Sequence, residues 1–218
     1  MMKQMLSIIT NFGCHYTCPY CVVKKTGIHI PPTTTKSLDL LLGVYKKGDY
    51  RGISLSGGGD PMHEYEKHTD YYGKLFSICH EYHIPLELHT SYIRAGLPYS
   101  HFKLIAFHLT DTQDIVKVDS LNCGSSAKRI VFVVDENFTK QKIDSIYEMY
   151  QCCQNISQLS FRQMILPDYS SAYHCHEYLK EGHEQRKWYY IEQCDYNTYF
   201  MNGEITSRYE DFREKGAN

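Results

Sequence analysis

Residues 11–21 read N-F-G-C-H-Y-T-C-P-Y-C, which places Cys14, Cys18 and Cys21 in the order C-x-x-x-C-x-x-C. This spacing folds three thiolates around one small centre and supplies no fourth. Iron–sulfur clusters are held by cysteine thiolates. Because a cubane cluster contains four irons, three ligands leave one iron open to bind something other than protein. By the logic established for zinc, an open coordination position indicates chemistry rather than a purely structural site.

A second motif lies further along the chain, where residues 53–61 read I-S-L-S-G-G-G-D-P, an apolar strand that runs into a glycine cluster. Together the two motifs resemble the cluster loop and the G-G-E-P element of the radical S-adenosylmethionine (SAM) enzymes. In that family the amino and carboxylate groups of SAM chelate the open iron. The resemblance therefore implies a [4Fe-4S] cluster held by Cys14, Cys18 and Cys21, with SAM as the second cofactor.

The same resemblance assigns further residues to the cofactors. Tyr20 stands where an aromatic residue commonly precedes the third cysteine of the family. Gly57, Gly58 and Gly59 remove side chains where the backbone must approach a ligand, and they tolerate positive φ. Asp60 stands where the family usually has glutamate, which leaves open what its carboxylate does.

Polar residues at later strand ends are weaker candidates for cofactor binding. Thr90 and Ser91 end the third predicted strand, where they could hydrogen-bond the methionine or the ribose of SAM. His108 ends the fourth, where the family often places a ribose-binding group. Arg162 lies in the sixth, and a buried arginine needs an acidic partner such as a carboxylate of SAM or of the substrate. The alternative for each is a satisfied polar residue inside a barrel.

Two other classes of protein are alternatives. The cysteines could hold zinc with His15 or a distant histidine, but structural zinc sites draw ligands as spaced pairs, and no second C-x-x-C pair exists. The chain could also be an iron–sulfur electron-transfer or binding protein that does not cleave SAM, although such a carrier needs no glycine motif. Cys175 and Cys194 invite a second metal site, but the tail lacks the cysteine spacing of auxiliary clusters, so we expect one cluster.

The pattern of apolar residues predicts strands at residues 6–10, 52–56, 85–89, 104–109, 129–134 and 159–166, with helical spacing at 38–45, 72–79 and 143–150. Strands spaced by helices predict a parallel sheet with right-handed crossovers. The resemblance implies a partial (β/α)6 TIM-like barrel. Residues 188–200 and the turn Asn202-Gly203 predict a short C-terminal β-ribbon. We expect one domain, 1–218, with a barrel core at 1–167 and an extension at 168–218.

The composition excludes several classes of partner. The 218 residues carry a formal net charge of −2, so no basic field attracts nucleic acid. No apolar stretch reaches transmembrane length. Nine cysteines without an export signal indicate reduced thiols. We therefore expect a cytoplasmic protein that binds neither membrane nor nucleic acid.

The function implied by the resemblance is reductive cleavage of SAM at the cluster. The resulting 5′-deoxyadenosyl radical removes a hydrogen atom from a substrate held above the barrel mouth. A low-potential donor, flavodoxin or ferredoxin, would supply the electron. The substrate is either a protein or peptide or a small molecule, and the sequence does not decide between them.

Overall fold

Strands and helices alternate along most of the chain, and the strands form one sheet. The computed structural model describes residues 4–18, 20–28, 30–166, 168, 170–192, 198–208 and 211. The strands are β1 Gln4–Ile8, β2 Tyr50–Leu55, β3 Leu86–Thr90, β4 Leu104–Leu109, β5 Ala127–Val134, β6 Gln158–Gln163, β7 Tyr189–Ile191, β8 Thr198–Met201 and β9 Glu204–Thr206. The helices are α1 Val22–Thr26, α2 Leu38–Lys47, α3 Thr69–Glu81, α4 Asp114–Ser120, α5 Lys140–Gln151 and α6 His176–Glu184.

The sheet has the strand order β7-β6-β5-β4-β3-β2-β1-β8-β9. Strands β1 to β7 lie side by side in chain order, each parallel to the next, and β8 is also parallel to β1. Among the strands of the described residues, β9 alone runs antiparallel, as the partner of β8. This arrangement confirms the predicted partial TIM-like α/β fold.

The two faces of the sheet differ in chemistry because strand side chains alternate between them. One face packs under the helices, and its fully buried side chains include Leu6, Ile53, Leu88, Phe107, Ile130 and Phe161. Burying each such side chain stabilises the fold by about 1.5–3 kcal/mol. We call the opposite face the inner face. It carries polar residues at the alternate positions: Ser7, Ser54, His89, His108, Ser160 and Arg162.

The C-terminal region differs from its prediction in two ways. Residues 188–200 do not form one strand: Tyr189–Ile191 pairs with β6, whereas Thr198–Met201 pairs with β1 at a different part of the sheet. The stretch contains two strands that pair at opposite sides of β1–β6, and the local pattern of β-forming residues does not show where one strand ends and the next begins. Helix α6 was not predicted, because its nine residues bury only a narrow stripe. The hairpin turn is confirmed, with positive φ at Asn202 and Gly203.

None of the helices within the described ranges combines the length and the apolar composition needed to cross a bilayer.

Candidate cluster and cofactor site

The cysteine loop connects the end of β1 with the start of α1. Cys14, Cys18 and Cys21 are partly buried and unpaired in disulfides. The amide of Cys21 donates to the Cys18 carbonyl at 3.1 Å, which closes a tight turn. The Cys21 carbonyl then accepts the amide of Lys25 at 3.0 Å, so the third cysteine is the N-cap of α1. The loop therefore follows the carboxyl end of a parallel strand, where such folds place their reacting groups.

The thiols lie in a partly desolvated environment. Burial raises the pKa of the Cys14 and Cys18 thiols, and the nearby Lys24 ammonium opposes that rise. Lys24 is fixed by donating to the Tyr16 carbonyl at 2.5 Å. A thiolate in this environment is stabilised by a bound cation, because burial without one disfavours the charged form.

The donor set fits the cluster that the resemblance implies. It consists of three free thiols on one loop, close enough to influence one another electrostatically. Among the described residues, no three His, Cys, Asp or Glu side chains converge tightly enough to hold a single metal ion. A cubane cluster does not require such convergence, since each thiolate binds a different iron.

The glycine loop packs directly on the cysteine loop. Gly57 and Gly58 adopt the left-handed conformation, with φ of 78° and 74°. A Cβ on Gly59 would lie 2.2 Å from the carbonyl oxygen of Gly13, so the two backbones touch at this point. The amide of Asp60 donates to the same Gly13 carbonyl at 2.8 Å. The glycines thus serve the contact between the two loops, next to Cys14.

The Asp60 carboxylate joins the glycine loop to the end of β3. Its Oδ1 accepts from the Met62 amide at 2.9 Å and from the Thr90 hydroxyl at 2.7 Å. Its Oδ2 accepts from the amide of Ser91 at 2.6 Å and from its hydroxyl at 2.7 Å. Both predicted residues at the end of the third strand, Thr90 and Ser91, therefore contact Asp60. The carboxylate, whose role the sequence left open, connects the glycine loop to the end of β3.

Aromatic residues surround the cysteine loop. The Tyr20 side chain hydrogen-bonds the Cys18 thiol, and burial raises the pKa of Tyr20 well above its usual range. The rings of His15 and Tyr92 lie 3.7 Å apart, and His63 Nδ1 lies 3.1 Å from the Tyr92 hydroxyl. His63 and Tyr92 were not predicted as site residues. No local signal marks them, because their positions depend on contacts between distant loops.

Two histidines and one arginine meet on the inner face. His89 Nδ1 lies 3.2 Å from His108 Nε2. Burial lowers the pKa of both rings, that of His108 to about 3, and the Arg162 guanidinium lowers them further. Burial also lowers the pKa of Arg162, whose Nε is buried without a hydrogen-bond partner in the described part of the chain. The structure thus places His108 and Arg162 together on the inner face.

Cys175 lies among side chains that bind other protein groups. His174 Nε2 lies 2.7 Å from the Phe138 carbonyl, and His176 Nδ1 lies 2.7 Å from the Tyr190 hydroxyl. The Cys175 thiol donates to the same Phe138 carbonyl at 3.5 Å. These contacts give the histidines structural partners. Cys194 lies outside the described residues.

Comparison with known proteins identifies the fold. No protein-family model and no curated protein matches the sequence. Among solved structures, SuiB of Streptococcus suis bound to its precursor peptide SuiA matches 99% of this chain, with a TM-score of 0.63 and 14% identity. SuiB bound to S-adenosylmethionine matches 88% of the chain (TM-score 0.58, 16% identity). A radical SAM methyltransferase from Sphaerobacter thermophilus matches 94% of it (TM-score 0.56, 11% identity) and is itself covered to 70%.

The chain therefore has the fold of the radical SAM enzymes. It spans only 61% and 48% of the two SuiB chains that it matches. The resemblance inferred from the two motifs is confirmed at the level of the fold.

Proposed function

We propose that this protein is a radical SAM enzyme that holds a [4Fe-4S] cluster through Cys14, Cys18 and Cys21. The observation that carries the proposal is the 2.8 Å hydrogen bond from the Asp60 amide to the carbonyl of Gly13. It holds the glycine loop against the residue that precedes Cys14. A protein that only carries electrons has no need of a ligand-binding loop in this position.

Different residues of the two loops would contact SAM and the cluster. The backbone of Gly57, Gly58 and Gly59 would contact the methionine part of SAM, and Asp60 would hold that backbone in place through Thr90 and Ser91. Tyr20 would cover the cluster beside Cys18. When bound, the cluster and SAM would supply one-electron cleavage and hydrogen abstraction, which protein side chains cannot perform. Flavodoxin or ferredoxin is the proposed electron donor.

We further propose a peptide as the substrate. The support is that SuiB was solved with its precursor peptide, in a structure that matches 99% of this chain. This chain spans 61% of that SuiB chain, so the peptide substrate is proposed from the shared fold. The alternative to a peptide is a small-molecule substrate.

The test is electron paramagnetic resonance of anaerobically reconstituted, dithionite-reduced protein with and without SAM. We expect a [4Fe-4S]⁺ signal in the wild-type protein, and we expect added SAM to shift it. The Cys18→Ala variant should lack this signal. Cys152→Ala is the matched control, because Cys152 is exposed and follows α5, outside the cysteine loop. A signal that SAM leaves unchanged would favour an electron carrier. Failure of the wild-type protein to take up iron and sulfide would contradict the proposal.

A further inference from the structure

Arg162 is a cation that lacks a counter-ion within the described chain. It points to the inner face, since its neighbour Phe161 packs in the core under the helices. Its Nε is buried without a hydrogen-bond partner. Two residues earlier on the same face, the fully buried Ser160 hydroxyl also has none. Leaving such groups unpaired costs free energy, because they have lost water and gained no replacement.

The groups opposite Arg162 do not neutralise it. Its described electrostatic neighbours are Tyr199 and a second arginine, Arg129, together with the His89–His108 pair that it influences. Both rings stay neutral near pH 7, because burial lowers their pKa, and their mutual contact leaves one nitrogen of each ring outside the pair. The acid Glu87 on this face contacts Arg51 at 3.9 Å and lies near Arg129.

We propose that this part of the inner face binds an anionic group of the substrate, a carboxylate or a phosphate. The Arg162 guanidinium would donate to it, with the Ser160 hydroxyl and an imidazole N–H of the His89–His108 pair as further donors. A planar carboxylate matches the fork of donors that a guanidinium presents. On a peptide the group would be an acidic side chain or the carboxyl terminus.

SAM carries a carboxylate of its own, so the test has to separate it from an anionic group of the substrate. The resemblance puts the carboxylate of SAM on the open iron, beside the loop that follows β1. Arg162 lies in β6, but Tyr199 of β8, the strand that pairs with β1, is among its electrostatic neighbours, so only competition with SAM separates the two anions. Recognition of a substrate rests on the proposed function, but binding of a small anion to these residues does not.

Thermal unfolding at constant ionic strength tests the site with two probes, acetate and inorganic phosphate. The reconstituted wild-type protein should be stabilised as either anion is added, because a ligand that binds only the folded state raises the midpoint. Arg162→Met should weaken the fitted affinity by about tenfold or more, as expected for loss of a charge-assisted hydrogen bond. Saturating SAM should leave the anion affinity unchanged.

The matched control is Arg129→Met, the same substitution at the neighbouring interior arginine. Arg129 already has partners, since its Nε donates to Gln158 at 2.6 Å and its guanidinium lies 5.1 Å from the Tyr189 ring centroid. Without added anion, Arg162→Met should raise the unfolding midpoint and Arg129→Met should lower it, because only the latter loses contacts. The anion affinity of Arg129→Met should stay within about threefold of wild type.

Several results would overturn the proposal. The first is that neither anion stabilises the wild-type protein. The second is that both arginine variants lose anion affinity equally. The third is that SAM displaces the anion, which would assign Arg162 to the cofactor. Repeating the titration with Cys18→Ala separates this proposal from the proposed function. Anion binding that depends on Arg162 in a protein with no cluster chemistry would support the site while the enzyme assignment fails.

Discussion

Replacing Asp60 by asparagine should loosen the junction between the two motif loops and the end of β3. The side chain is almost fully buried and accepts four hydrogen bonds, from Met62, Thr90 and Ser91. Asparagine has nearly the same shape, so the substitution tests the charge and the acceptor capacity of the carboxylate rather than its volume.

The expected cost follows from the donors around the carboxylate. The amide oxygen of asparagine can replace Oδ1, which accepts from Met62 and Thr90. Its NH₂ group then faces Ser91, whose hydroxyl can turn to accept while its backbone N–H cannot. One buried N–H is left unsatisfied, and the remaining hydrogen bonds lose their charged acceptor. Together these changes should lower the free energy of unfolding by about 2–4 kcal/mol.

The assay is urea or thermal unfolding, compared with Asp168→Asn. Asp168 makes the same kind of contacts, accepting from the amide and the hydroxyl of Ser170, but it is exposed. Its variant should unfold like the wild type, because water replaces exposed hydrogen bonds. For a chain of this length, 3 kcal/mol corresponds to a fall in Tm of about 6–12 °C. An Asp60→Asn variant within about 0.5 kcal/mol of wild type would refute the assignment of Asp60 as the junction.

Two further predictions concern the backbone contact and the histidine pair. Gly59→Ala should lower the free energy of unfolding by about 1–3 kcal/mol and weaken cluster retention, because its Cβ would lie 2.2 Å from the Gly13 carbonyl oxygen. The control is Gly73→Ala in helix α3, where open space surrounds the new methyl group, and it should raise the free energy of unfolding by about 0.5–1 kcal/mol. Unfolding experiments on both variants measure the difference. Burial lowers the pKa of His108 to about 3 in the folded protein. Below about pH 6.5 the unfolded state therefore binds a proton that the folded state does not bind. The free energy of unfolding should fall by about 1.4 kcal/mol per pH unit as the pH drops from about 6.5 toward 3. His108→Gln should flatten this slope in unfolding measured from pH 4.5 to 7.5, and an unchanged slope would contradict a neutral buried ring.

The sequence predicted the parts of the site that depend on local order. Cysteine spacing, a strand before each motif loop and the parallel topology together required that both loops meet at one edge of the sheet, and the Asp60–Gly13 hydrogen bond confirms that they do. Strand positions were predictable to within a few residues for β1 to β6, because apolar runs bounded by turns depend on neighbours in the chain.

Contacts between distant segments were not predictable from the same pattern. The end of a strand near the site predicts contacts of Thr90 and Ser91 with SAM, but nothing in the local pattern indicates that both donate to Asp60, some thirty residues away. No motif reports that a particular carboxylate reaches a particular hydroxyl. The same holds for His89 and His108, which contact each other only because β3 and β4 are neighbours in this register.

The Asp60 junction and the inner face around Arg162 differ in how their buried charged groups are satisfied, and this contrast supports different roles for them. The buried Asp60 carboxylate accepts four hydrogen bonds from the protein, so its acceptors are satisfied and it fixes the glycine loop to the end of β3. Around Arg162 the charge is left uncompensated among the described residues, with an unpaired Ser160 hydroxyl on the same strand face. Evolution tolerates such a cost where a ligand removes it, since strain and unpaired groups concentrate at functional sites. The contrast supports the proposal that Asp60 fixes the motif loops, whereas a substrate anion would supply the partner that Arg162 and Ser160 lack.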